Sequence, residues 1–106
     1  MNILLVEDDS VDRLSTTRLL AQSEDLVDIV EASSAEEGIE LLLEGHFDLV
    51  LMDYSLPGMN GLEALRLIRR NKDNSTAIII ISHNDDDDIS VKCIEAGAQD
   101  YLKKGG

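Results

Sequence analysis

The sequence predicts an α/β domain, a doubly wound parallel sheet of five strands with helices packed on its faces. Strand and helix signals alternate from one end of the chain to the other. The strand signals are short apolar runs with few polar positions, as expected of parallel strands buried on both sides. Two of these runs stop abruptly in carboxylates, where the ligand crevice of such a sheet lies. Right-handed crossovers between the strands complete the topology.

Each element has its own local reason. Ile3-Leu4-Leu5-Val6 is an apolar run ending at Glu7-Asp8-Asp9. Ser10 is expected to cap a helix reaching about Ser23, with Val11, Leu14 and Leu20 as its apolar turns. Leu26 to Ala32 reads as a short strand. Ser33 or Ser34 opens a second helix, since Ser34-x-x-Glu37 has the form of a capping box. Ala35, Ile39 and Leu42 recur there at helical spacing, and Gly45 is the expected stop. Phe47 to Asp53 is the third strand, followed by a loop of turn formers from Tyr54 to Gly61. Leu62 to Arg70 gives a third helix with Leu62, Leu65 and Ile68 on one face. After a polar turn over 71–75 comes a β-branched strand, Thr76 to Ile81, ending at Ser82. Asn84 through Asp88 lead into a fourth helix to about Ala96, their acids near the positive end of its dipole. Gly97 ends that helix and Asp100 to Lys103 is the fifth strand.

Composition narrows the function. At 106 residues the chain makes one domain, and with no Trp, one Phe and two Tyr its core must be aliphatic. The formal charge of −13 argues against nonspecific binding to nucleic acid or to an anionic membrane surface. The single Cys93 rules out an internal disulfide and fits a reducing compartment. The N-terminus lacks the form of a signal peptide, and the longest apolar run, Ala77 to Ile81, is far short of a membrane span. A soluble cytoplasmic protein is expected.

Asp8, Asp9, Asp53 and Ser82 all fall at the carboxyl ends of strands. A buried run ending in carboxylates is costly unless the charges meet a cation. Two carboxylates ~5 Å apart repel by roughly 3 kcal/mol at an effective dielectric of ~20, so three together call for a divalent ion. Alone, each residue has a plainer use. Asp8 or Asp9 could cap a helix, Asp53 could start a turn, Ser82 could do either, Tyr101 could be a half-buried strand aromatic and Lys104 a solvated charge. His46 and His83 read as surface histidines. The run Asp85 to Asp88 reads as a solvated helix start and lacks the glycine of an EF-hand loop.

In combination, Glu7-Asp8-Asp9, Asp53-x-x-x-Pro57, Ser82 and Tyr101-x-x-Lys104 resemble the receiver domain of bacterial response regulators, over the whole chain. The resemblance implies a flavodoxin-like sheet of order 2-1-3-4-5. It implies that Asp53 accepts a phosphoryl group from a sensor histidine kinase or phosphotransfer protein, with Mg²⁺ as cofactor. Asp8, Asp9, Asp53 and the Ser55 backbone carbonyl match the metal ligands, an all-oxygen set suited to Mg²⁺. Ser82 matches the hydroxyl that bonds the phosphoryl group, Lys104 the pairing lysine and Tyr101 the aromatic switch. Strand alternation prefers Lys104 over Lys103. The expected role is a signalling switch, not a free-standing enzyme, relaying to an output domain or protein that the sequence does not name.

The chain departs from the family pattern at three points. Gly105 stands where a cis proline usually follows the lysine, and a non-proline cis bond costs ~2.5–4 kcal/mol, so a trans or looser loop is expected. His83 stands where a small residue is common, and its ring is expected to narrow access for water and slow dephosphorylation. The family's fifth helix is missing after Gly106, so residues 1–106 are expected to be a receiver truncated at its C-terminus, with homodimerisation as a consequence or artefact. Rival readings fit less well. A haloacid-dehalogenase-like phosphatase needs a second Asp where Ser55 stands, and Glu7-Asp8-Asp9 would repel the phosphate of an FMN carrier. A purely structural relative would not need the acids, hydroxyl and lysine together.

Overall fold

The computed structural model describes residues 1–23, 26–71, 75–84 and 86–104. Elements follow in the order β1 (Asn2–Val6), α1 (Ser10–Ala21), β2 (Asp28–Ala32), α2 (Ala35–Glu44), β3 (Leu49–Asp53), α3 (Gly61–Asn71), β4 (Ala77–Ser82), α4 (Asp87–Glu95) and β5 (Asp100–Lys103). The strands are all parallel and ordered β2-β1-β3-β4-β5, as the resemblance implied. Every predicted element is present, with ends displaced by a residue or two where fraying and tight turns blur the pattern.

Alternation along the strands divides the core in two. Leu4, Val6, Val50, Met52, Ile78 and Ile80 face α2, α3 and α4, with Leu42, Leu65, Ile68 and Cys93 packed on them. Ile3, Leu5 and Leu51 face the other way, where Leu20 of α1 is the helical residue packed against them. A groove of about 510 Å³ runs on that face between α1 and β5, and Leu102 at its rim is half-exposed.

Two expectations about α1 are corrected. Its cap is Asp9, not Ser10, because the Asp9 carboxylate accepts from the Val11 and Asp12 amides and Ser10 is the first helical residue. Its inward stripe is Asp12, Arg13, Thr16, Thr17 and Leu20, while Val11 and Leu14 face solvent. The stripe is polar because it has polar work to do. Arg13 Nη1 donates to the Glu7 carbonyl at 2.9 Å, and Thr17 Oγ1 donates to the Arg13 carbonyl at 2.8 Å and lies 3.2 Å from Glu31 Oε1. The α2 cap is Ser34, whose hydroxyl accepts from the Glu37 amide, as the box predicts. Asp85, Gly105 and most of the 71–75 turn lie outside the described residues.

A glycine fixes the approach of α3 to the strand that carries Asp53. A Cβ on Gly61 would lie 2.7 Å from the Asp53 carbonyl oxygen and 2.9 Å from the Tyr54 Cα, and backbone cannot yield as a side chain can. Gly61→Ala is therefore expected to lower stability by about 1–3 kcal/mol. A urea titration that leaves the midpoint unchanged would show that α3 has room to retreat.

Candidate functional site

β1 and β3 are adjacent, so their carboxyl ends bring Glu7, Asp8 and Asp53 to one place. One oxygen from each of these three carboxylates lies within 4.8 Å of the others. Glu7 is fully buried and Asp53 is 5% exposed, whereas Asp8 is open to solvent. This all-oxygen cluster of hard, charged donors with one wet side fits a divalent ion that keeps some of its waters.

Lys104 reaches into the cluster from the end of β5. Its Nζ lies 3.0 Å from Asp53 Oδ2 and 2.9 Å from Asp12 Oδ2, and it also donates to Glu7 Oε1. The lysine side chain is only 10% exposed. Burial alone would pull its pKa down, but the hydrogen bonds to Glu7, Asp12 and Asp53 outweigh that and raise it. The Glu7 carboxyl is pushed up to about 7, by burial first and then by Asp53 beside it, with Lys104 opposing. Asp12 is held below the usual carboxylate range, chiefly by Lys104.

Asp53 is positioned by the neighbouring strand β4 and by its own following loop. Its backbone pairs with Ile81 of β4, and the Ser55 amide donates to its Oδ1 at 3.1 Å. Ser82, one residue beyond Ile81, is buried, and its Oγ accepts from the Asn84 amide at 3.0 Å. Tyr101 is half-buried and its hydroxyl donates to the Asn84 carbonyl, also at 3.0 Å. Ser82 and Tyr101 thus grip the same residue of the β4–α4 loop.

The structure gathers Asp8, Asp53 and Lys104 in one place, but Asp9 does not join the cluster. Its Oδ1 is taken by the Val11 and Asp12 amides at 2.8 and 3.0 Å, the plainer use foreseen for one member of the pair. Glu7 takes the place expected of Asp9. The signal was available: β1 is buried without a break through Val6, so the next residue stays inside, while the acid just before a helix is its natural cap. Asp12 is a further charged neighbour with no signal in any motif.

Residues 3–106 match the family described as the response regulator receiver domain. The cyclic di-GMP phosphodiesterase of Thermotoga maritima is 36% identical over 104 residues, which is 98% of this chain and 27% of that protein. The cell cycle transcriptional regulator CtrA of Caulobacter vibrioides is 38% identical over 104 residues, covering 98% of this chain and 44% of that protein. The crystal structure of a LuxR-family two-component response regulator from Aurantimonas sp. SI85-9A1 matches with a TM-score of 0.90 at 35% identity, over 99% of this chain and 74% of that one. The chain thus spans less than half the length of these two curated relatives.

Proposed function

The chain belongs to the response regulator receiver family, and from that membership we propose that it is a phosphorylation-dependent switch with Asp53 as its phosphoacceptor. The observation that carries the proposal is a buried Asp53 whose Oδ2 lies 3.0 Å from the Lys104 ammonium, inside a cluster with Glu7 and Asp8. A carboxylate is an adequate nucleophile towards phosphorus when cations offset the incoming charge. Asp53 attacks the phosphorus of a kinase's or phosphotransfer protein's phosphohistidine, the P–N bond breaks, and the histidine nitrogen leaves. Lys104 pairs with the transferred oxygens as a point charge. Glu7, Asp8 and Asp53, with the Ser55 backbone carbonyl, would hold Mg²⁺. When bound, that ion neutralises charge on the phosphoryl oxygens.

The switch follows from the shared grip on Asn84. When the Ser82 hydroxyl turns to bond a phosphoryl oxygen it releases the Asn84 amide, and the Tyr101 contact to the same residue is disturbed. The β4–α4 loop and the adjoining face then change together, which is the signal an output domain or protein partner reads. No described helix is long and apolar enough to cross a membrane, and a cytoplasmic setting suits the kinase partner.

The test is acetyl phosphate with Mg²⁺ on the unaltered chain and on Asp53→Asn, read by intact mass. A phosphoryl adduct on the first and none on the second is expected. Adducts on both would move the acceptor to another residue, and none on either would leave a receiver fold without phosphoryl chemistry.

A further inference from the structure

Asp12 is absent from every motif above, yet its Oδ2 is shared by two partners from distant parts of the chain. Lys104 Nζ lies 2.9 Å away and His83 Nε2 3.1 Å away. Asp12 sits in the first turn of α1, the helix that follows β1, and His83 is the first residue after β4. Because β3 lies between β1 and β4 in the sheet, a contact from one to the other passes over the end of β3, where Asp53 stands. The Asp12 amide is itself tied into the helix cap, at 3.0 Å from Asp9 Oδ1, so this anchor of the contact is fixed. Exposure falls inward, from 60% for the His83 side chain to 27% for Asp12 and 10% for Lys104. The two outer residues therefore stand between Lys104 and solvent on the α1 side of the site.

We propose that Asp12 and His83 form a strap over the end of β3 that positions Lys104 and sets the lifetime of a phosphoryl group on Asp53. The inference rests on the phosphoacceptor role proposed above. In hydrolysis a water oxygen attacks phosphorus, the P–O bond to the Asp53 carboxylate breaks, inorganic phosphate leaves and one proton of the water passes to solvent. The strap slows that step by limiting the approach of water from the α1 side, while Asp12 holds the lysine in place. Asp12 and His83 are positioning residues, acting through Lys104 and through water access.

The adduct formed with acetyl phosphate and Mg²⁺ is freed of donor and its decay followed by intact mass. Asp12→Ala and His83→Ala are each expected to shorten the half-life about two- to fivefold, the scale of one partly exposed pair. The double variant should decay no faster than the quicker single one, and His83→Gln, which keeps a donor, should restore most of the lifetime. Unchanged half-lives, or effects that multiply in the double variant, would overturn the strap. A second measurement needs no phosphoryl group: the ¹⁵N shifts of the His83 ring should move on Asp12→Ala. If they stay put, the contact is absent in solution and the strap is overturned. If they move but the unaltered chain takes no phosphoryl group, the phosphoacceptor role falls, and the lifetime role with it.

Discussion

Lys104→Met is expected to destabilise the metal-free domain by about 3–5 kcal/mol at pH 8, the scale of breaking a buried ion pair from one side. The lysine faces Glu7, Asp12 and Asp53 at once, and the Glu7 and Asp53 side chains are 0% and 7% exposed. Without it two carboxylates remain in a poorly solvated pocket, each repelling the other, while Asp12 can still turn to water. For a domain whose whole stability is of order 5–15 kcal/mol, such a loss brings unfolding within reach of mild denaturant. The variant has one escape. Glu7 can take up a proton, and it already tends to because its pKa stands near 7 with the lysine present. The loss should therefore be smaller at pH 5 than at pH 8. Urea titrations in EDTA at both values measure it. A loss below about 1 kcal/mol at each would mark Lys104 as a surface charge.

The fold was legible because its strands are buried on both faces. Runs such as Leu49-Val50-Leu51-Met52 admit few readings once helices alternate with them, and the sheet order came with the family resemblance rather than from the runs themselves. The inward face of α1 was not legible. Apolar spacing pointed to Val11 and Leu14, but the helix turns Arg13 and Thr17 inward to meet the Glu7 carbonyl and Glu31, contacts that exist only in three dimensions. The site shows the same division. Asp53 and Lys104 announced themselves by position, whereas the choice between Glu7 and Asp9 depended on which acid continued the strand and which capped the helix. Asp12 carried no sequence signal, since its partners Lys104 and His83 lie 92 and 71 residues away.

The same buried carboxylate gives the metal-free domain a pH dependence opposite to ordinary acid denaturation. The Glu7 pKa rises from 4.5 to about 7 on folding, so between those values the folded state binds more protons than the unfolded chain. Stability must then fall as pH rises through that window, by up to about 3 kcal/mol between pH 5 and 8. Asp12, lowered instead, acts only where the pH falls towards its ordinary value of 3.8, and Lys104 only in strongly alkaline solution. Magnesium should oppose the trend, because a hard cation takes the deprotonated carboxylate and loses to a proton below the titration. At ten times its dissociation constant the ion contributes about 1.4 kcal/mol, roughly 5–10 °C in Tm for a domain of this size. That shift is expected at pH 8, with most of it gone at pH 5, in melts matched for ionic strength with NaCl. Glu7→Gln should flatten the metal-free slope and weaken the response to Mg²⁺ at pH 8. An equal Mg²⁺ shift at both pH values, or a slope that survives in Glu7→Gln, would mean that Glu7 neither titrates in this window nor faces the ion. The metal would then rest on Asp8 and Asp53 with some other donor.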